Sequence, residues 1–489
     1  MAGLCGDGKT RSRRRSWPAR QGPQRTERDL PVTSSAQQYE VENSAVDRLV
    51  GQVKGEVLLP GDPGYEAELA GFNEIARHRP RLIVAAVHPD DVVAAVRFAG
   101  ERGLAVGVQA TGHGIAAPDE HALLISTRRM NTVAVDPLTR IARVEAGAQW
   151  HQVIAAAAYH HLAPLNGSSP LVGVVGYTLG GGLGPLGRQY GYAADHVTRF
   201  RIVTADGRHR TVTPEADADL FWAVRGGKGN FGVVTDLEFR LVPVRRLYGG
   251  GLYFPGELAA PLLRTWRDWT RRVPESMTSS VALLRLPGLP GVAGHPAGRL
   301  AVHVRIAFTG PAEEGERLVR PLRAVGAALA DTVREMPYTD VADIHQDPTE
   351  PLPYHERNIV LRDLDDAALK RLLEVAGPDA DCTDPMVEVR QLGGALSRPP
   401  AVPNAVGNRD GAFTLSTLSL PGSPDRVLAP LSGWGTGRRY VNFLAGPDTA
   451  DAAADCYDER TRARLDRLKD HYDPDNLFRR GHALRPEHD

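Results

Sequence analysis

The stretch RLIVAAVHPDDVVAAVRFAGERGLAVGVQATGHG, Arg81–Gly114, sets the frame for the whole chain. Leu82 to Val87 is a short apolar, β-branched run, which predicts a strand. Pro89, Asp90 and Asp91 open a helix, and the two carboxylates suit its positive end. Val92, Val93, Ala95, Val96 and Ala99 then recur at helical spacing. Gly103 stops the helix, and Ala105 to Val108 forms the next strand. A strand-helix-strand unit of this kind predicts the opening of an α+β or α/β nucleotide-binding domain. It runs into a turn that holds His113 between Gly112 and Gly114.

Working outward, strands are expected at Leu123–Ser126, Val133–Val135, Ile141–Glu145, Phe200–Val203, His209–Val212 and Val233–Leu241. Helices are expected at Trp150–His160 and Asp219–Arg225. Asp206-Gly207 marks a hairpin. Near residue 244 the character changes. Alternating strands follow at Ser280–Leu286, Leu300–Phe308, Met386–Leu392 and Phe413–Leu418, with amphipathic helices near Leu258–Arg271, Ala312–Val325 and Asp365–Val375. This pattern predicts an antiparallel sheet with helices over one face. The last fifty residues carry Tyr440 to Phe443, expected as a strand, and a charged helix from Asp458 to His471. No internal repeat is visible. The expected division is a basic arm at 1–42, a first domain at 43–243 (its core about 78–243), a second at 244–436, and a segment at 437–489 that returns to the first.

The 489 residues are enough for two domains. Lys+Arg 58 against Asp+Glu 59 gives a net charge of -1, so nothing in the bulk charge points to nucleic acid or an anionic membrane. No apolar run is long enough to span a bilayer. Cys5, Cys382 and Cys456 are odd in number and far apart, which argues against a disulfide framework or a zinc site and for a reducing, cytoplasmic setting. The arginine-rich start resembles a twin-arginine export signal only superficially. It continues WPARQGPQRTERDLP, without the apolar segment such a signal needs, and is expected to be a disordered arm.

Two segments match G-x-G-x-x-G: GLGPLG at Gly182–Gly187 and GKGNFG at Gly227–Gly232. Neither sits in the strand-loop-helix setting of a Rossmann site, since Pro185 lies inside the first and the second runs into the β-branched VVTDLEF. The glycines still need a cause. Three glycine-rich loops (Ala110–Gly114, Gly173–Gly187, Gly226–Gly232) let backbone N–H groups approach a ligand unshielded, and together they favour a pyrophosphate cradle over mere tight turns. The flanking glycines expose the His113 imidazole, which can act as ligand, base or nucleophile. His160 and His161 are expected at an exposed helix end.

The ordered set RPRLIVAAVHPDDVVAAVRFA, VQATGHG, NGSSPLVGVVGYTLGGGLG, YGYAADHV, VTADGR, DLFWAVRGGKGNFGVVTDLEF, RRYVNFLAG and DHYDPDNLFRRGHALRP resembles the flavoprotein oxidases with a p-cresol methylhydroxylase-type FAD domain, in their berberine bridge enzyme-like branch. The likeness covers residues 80–243 and 438–486. It implies an α+β fold: a split FAD-binding domain of two α+β subdomains, with an inserted substrate domain whose helix-covered antiparallel sheet roofs the flavin. It implies FAD, joined to the protein through His113 at the flavin 8α-methyl. It places Ala110, Thr111, Gly112, Gly114, Ser169, Val172, Gly173, Gly176, Gly180, Gly232, Val234 and Asn442 at the cofactor, with Val172 beside the route by which dioxygen reaches C4a. There are departures. Ser169 stands where many relatives have a cysteine that makes a second bond to the flavin, so one link is expected. Gln109 replaces an arginine, Ala483 an asparagine, and Phe443 a tyrosine that some relatives use as base.

The implied reaction passes hydride from an alcohol, sugar or secondary-metabolite substrate to the flavin, with O2 as reoxidant and no metal. The alternatives are a dehydrogenase with another acceptor and a flavin-binding protein without turnover. The substrate's O–H or N–H proton needs an acceptor. Tyr440 is the leading residue for that role, set against a plain buried tyrosine. Tyr354, His355 and Glu356 in PLPYHERN read first as a solvated loop, with a pocket-facing cluster as the alternative.

Overall fold

The computed structural model describes residues 44–75, 78–114, 121–288, 295–446 and 452–485. The arm expected at 1–42 and Cys5 lie outside these. The chain divides into two compact units, 1–47 and 48–489. Of the first, residues 44–47 are described and are helical. All that follows concerns the second. Among its described residues no helix is long and apolar enough to cross a membrane.

The first sheet holds β1 (Glu56–Leu58), β2 (Leu82–Ala85), β3 (Ala105–Gln109) and β4 (Ala122–Ser126) in the order β1-β2-β4-β3. β2 and β3 both run parallel to β4, as a helical crossover from β2 to β3 requires. That crossover is Pro89–Arg102, ended by Gly103 at φ 63°. Asp90 stays at the surface, but Asp91 is fully buried. Its carboxylate accepts the backbone N–H groups of Lys54, Gly55, Val87 and His88, and so ties the loop before β1 to the end of β2.

The second sheet has the order β5 (Val133–Asp136), β6 (Ile141–Glu145), β9 (Val233–Arg240), β7 (Val197–Val203), β8 (His209–Val212), all antiparallel. Its core joins Val144, Trp150, Val153, Phe200, Phe221 and Leu237. The glycine-rich stretch from Gly173 to Gly187, expected as loop, contains a helix at Val174–Leu179 that starts directly after Gly173. Val174, Val175 and Leu179 are buried in the same core, and that burial stabilises a helix too short to persist alone.

The third sheet, eight strands, is built from residues 246–419: β10 (Arg246–Pro255), β11 (Met277–Leu284), β12 (Ala301–Phe308), β13 (Ala330–Asp331), β14 (Arg334–Pro337), β15 (His355–Leu361), β16 (Met386–Gln391) and β17 (Phe413–Ser419). The order is β13-β10-β12-β11-β16-β17-β15, with β14 also on β10, and every pairing is antiparallel. Alternation decides its two faces. Val281, Leu283, Val302, Val304, Ile306, Val387, Val389 and Leu415 meet Leu262, Trp266, Leu322, Leu369 and Leu372 from the covering helices Ala259–Thr270, Ala312–Arg323 and Asp366–Ala376. The intervening residues, Ser280, His303, Arg305, Glu388, Arg390, Thr414, Ser416 and Glu356, occupy the other face.

Two strands differ from the reading of the sequence. β10 contains Gly249, Gly250 and Gly251, which hide its strand character. A Cβ on Gly251 would sit 2.1 Å from His303 Nε2, so glycine there makes room for the His303 ring, which stacks on Tyr253 at 4.0 Å. PLPYHERN is no solvated loop from His355 on: it enters β15 and pairs with β17, Glu356 opposite Leu418. Conversely, Tyr440–Phe443 is not a strand. Val441–Phe443 is a short 3-10 helix. Asn358 takes the place of a strand partner, its amide donating to Tyr440 O and Phe443 O and its Oδ1 accepting from Tyr440 N.

The C-terminal helix Glu459–Tyr472 and the segment after it pack on the early part of the chain. Val106 N donates to Leu477 O. The buried Lys469 Nζ donates to Asn230 O, Asp473 Oδ2 and Phe478 O, and the Asn230 side chain bonds His482 O and Leu484 N. The loop Gly226–Gly232 is thereby fixed from the C-terminal side.

Candidate functional site

A cavity of about 300 Å³ with an open mouth lies between the end of β3, the segment Gly167–Tyr177, the loop at Lys228, and the polar face of the third sheet. β3 delivers the turn at its edge. After Gln109 the chain must reverse, and Gly112 takes φ 70°. A Cβ on Gly112 would lie 2.5 Å from Gly71 Cα, so the turn packs directly on the backbone of the Gly71–Asn73 segment. Phe72 N and Asn73 N donate to Thr111 O and Gly112 O and hold that contact.

Two contacts fix the His113 imidazole and a third fixes its backbone. It stacks on Phe72 with ring centroids 4.1 Å apart and planes 8° apart. Its Nδ1 shares a 2.8 Å hydrogen bond with Thr111 Oγ1, which also accepts from Gly173 N at 3.3 Å. Tyr354 OH donates to His113 O at 3.0 Å. Burial lowers the imidazole pKa to about 4, so the ring is neutral at physiological pH. Its Nε2 is buried without a hydrogen-bond partner. A neutral, held imidazole with an unsatisfied nitrogen is suited to bonding a ligand in the cavity.

Of the residues assigned to the cofactor from the sequence, Ala110, Thr111, Gly112, His113, Gly114, Ser169, Val172, Gly173, Gly176 and Asn442 line this one cavity. Gly176 has nothing within 4 Å of a Cβ position, as a wall left open to a ligand would. Gly180, Gly232 and Val234 are not on the wall. A Cβ on Gly180 would overlap Asn442 Oδ1 and come within 2.6 Å of Lys228 Cε. Gly232, at φ 150°, lies against Val203 O, and Val234 is buried in the core of the second sheet. Tyr440 is also off the wall. It sits in a small core with Leu183, Tyr192, Val360, Leu392 and Leu396, its buried OH without a partner and its pKa pushed far up by burial. Phe443 is on the wall.

The sheet contributes groups that the sequence reading left in a loop or passed over. Tyr354, Glu356, Met386, Arg390 and Leu418 face the cavity from β15, β16, β17 and the turn before β15, with Asp347 beside them. Burial raises the Glu356 carboxyl to about 8, against the opposing pull of Arg390. Arg390 donates from Nε to Glu388 Oε2 at 2.7 Å and lies over the Phe443 ring at 4.8 Å. Glu388 also accepts from Arg305 and from Ser280 Oγ, and the two arginines hold it ionised well below the usual carboxylate range despite its burial. From the opposite wall comes Lys228, whose ammonium burial lowers to about 8. The signals were present in the sequence. Glu388 and Arg390, two positions apart in VEVRQ, mark the polar face of a strand, and one lysine interrupts the glycines of GGKGNFG. Among the described residues no group of His, Cys, Asp and Glu could hold a metal ion, and Cys382 and Cys456 are free and buried.

The architecture has counterparts in known proteins. Residues 80–213 match the family described as FAD binding domain. The chain is 28% identical to (R)-6-hydroxynicotine oxidase of Paenarthrobacter nicotinovorans, over 89% of this chain and 97% of that protein. It is 26% identical to xylooligosaccharide oxidase of Thermothelomyces thermophilus, over 93% and 97%. Its fold superposes on the crystal structure of 6-hydroxy-D-nicotine oxidase from Arthrobacter nicotinovorans with a TM-score of 0.76 at 25% identity, covering 89% of this chain and 98% of that one. It also superposes on xylooligosaccharide oxidase from Myceliophthora thermophila with a TM-score of 0.77 at 24% identity, covering 91% and 100%.

Proposed function

We propose that this chain, an FAD-linked oxidoreductase homologous to the berberine bridge enzyme-like oxidases, works as an oxidase that takes hydride from a carbon bearing an O–H or N–H group. The observation that carries the proposal is the single cavity that has the glycine-lined turn and His113 on one wall and the polar sheet face with Glu356 and Arg390 on the other. FAD supplies the two-electron oxidation when bound. The protein's part is to hold, orient and take protons.

On the cofactor side, His113 forms the covalent link to the flavin. Its neutral ring, its stack on Phe72 and its unpartnered Nε2 support this reading. Ser169 lies on the wall where a second, cysteinyl link would start, and a serine leaves the attachment single. Gly114 and Gly176 keep side chains out of the cofactor's path, Gly112 lets the turn pack on the Gly71 backbone, and Val172 is the residue proposed to stand beside the dioxygen route. On the substrate side, a small polar molecule such as an alcohol, a sugar or a secondary-metabolite intermediate meets Tyr354, Glu356 and Arg390. The substrate proton goes to this wall rather than to Tyr440, which sits in the core beside it.

Anaerobic photoreduction followed by admission of air tests the oxidase assignment. Reoxidation within seconds with stoichiometric hydrogen peroxide is the expected result. A reduced flavin that persists for many minutes in air assigns the chain instead to the dehydrogenases with another acceptor.

A further inference from the structure

We infer that Lys228 and Glu356 form one proton-exchanging pair across the cavity, and that Lys228 sets how readily the pair accepts the proton a substrate releases on oxidation. The inference rests on the oxidase reading for its catalytic meaning, although the pairing itself is a property of the protein.

The backbone of Lys228 is the first observation. It adopts φ 55°, ψ -146°, a conformation that suits glycine and strains other residues, in a loop where Gly226, Gly227 and Gly229 surround it. Backbone strain of this kind persists where the surrounding structure over-determines the site, and such residues cluster at functional positions. Its side chain is the second. The stem passes so close to Gly180 that a Cβ there would come within 2.6 Å of Lys228 Cε, and the missing side chain of Gly180 is what admits it to the cavity. The third is the absence of partners. Among the described residues, no hydrogen bond or ion pair within 4 Å reaches the Lys228 ammonium or the Glu356 carboxyl. Two titratable side chains therefore face one cavity without touching, and the space between them is where a substrate enters.

The surroundings tune both members. Burial dominates for each and disfavours the charged form, which brings both to about 8. Lys228 is faced by Glu356 and Cys456, and its charge in turn depresses His482. Glu356 is faced by Arg390 and Glu388 of β16, by Asp347, by Lys228, and by the Tyr354 hydroxyl. Each lies in the field of the other, so the charge on one shifts the titration of the other. Below about pH 8 the pair is fully protonated, as ammonium and carboxylic acid. Loss of one proton yields the form that can act as base. In the reaction the substrate C–H bond breaks with its electron pair, which passes as hydride to the FAD. The O–H or N–H bond breaks with its electrons kept on the substrate, and the proton forms a new bond to the pair.

Reductive 13C-methylation of the holoprotein labels Lys228 beside Lys9, Lys54, Lys370 and Lys469, and NMR titration reads each amine. The resonance absent from Lys228→Gly, a substitution that relieves the backbone and so keeps the fold, should titrate about two pH units below the surface lysines and move in Glu356→Gln. Titration together with the surface lysines, or indifference to Glu356→Gln, overturns the pairing whether or not the protein is an oxidase. Kinetically, the rising limb of kcat/KM against pH should move up by about one unit in Lys228→Met, a tenfold loss at fixed pH on that limb. Lys228→Arg, which keeps the charge but does not titrate, should restore the position of the limb. An unmoved limb in Lys228→Met rejects the catalytic role.

Discussion

The His113 imidazole and the Phe72 ring lie parallel, 4.1 Å between centroids, so an aromatic residue from before β2 fixes the imidazole of the turn after β3. Two substitutions separate the chemistry from the positioning. His113→Ala should still bind FAD through the rest of the wall but release all of it into the supernatant on acid precipitation. Phe72→Ala should keep a covalent fraction, formed more slowly during reconstitution with FAD. Flavin that stays with the His113→Ala pellet would place the link elsewhere.

Gly112→Ala should be costlier than a surface glycine substitution. The residue has φ 70°, and the new Cβ would fall 2.5 Å from Gly71 Cα, where only backbone could give way. A loss of about 1–3 kcal/mol follows from the strain alone. Flavin content should fall with it, read as the 450-nm absorbance per protein. Gly100→Ala, in the open on the helix Pro89–Arg102, is the control and should raise stability slightly.

Glu388→Gln leaves Arg305 and Arg390 buried against each other without their shared carboxylate. Removal of one partner from a buried ionic cluster costs about 3–5 kcal/mol, so the melting temperature should drop by several degrees. The carboxyl is held ionised below its ordinary range, so its contribution is present above the unfolded carboxylate pKa and lost as pH falls further into acid. Glu388→Gln should therefore flatten the acid limb of the stability profile.

The buried histidines give a second pH dependence. Burial lowers His113 to about 4, and burial with the Lys228 charge lowers His482 to about 3. An unfolded histidine titrates near 6.5, so below that pH the unfolded chain binds more protons than the folded one. The contribution of both rings is complete above about pH 6.5 and declines as pH falls toward 4 and then 3. The flavin-free protein should melt progressively lower between pH 7 and pH 5, and His113→Gln should show a shallower decline. Equal slopes would mean that His113 is as solvated in the folded protein as in the unfolded one.

Local structure and the glycine-lined wall that holds His113 were legible in the amino-acid sequence. The period of about 3.6 in Pro89–Arg102, the alternation in Met277–Leu284 and Ala301–Phe308, and the glycines around His113 are local properties, each legible within a window of a dozen residues. The ten residues assigned to a cofactor that meet in one cavity come from such windows. The opposite wall, on the polar face of the third sheet, depends on long-range pairing. Glu356 and Arg390 face the cavity because β15, β17 and β16 are adjacent in the sheet, and no local pattern reveals which strands pair. Tyr440 left the wall because Asn358, 82 residues away, captures the backbone around it. Lys228 reached the wall because Gly180 leaves it room. Sequence periodicity reports which face of an element is polar, but what that face meets depends on contacts between segments far apart in the chain.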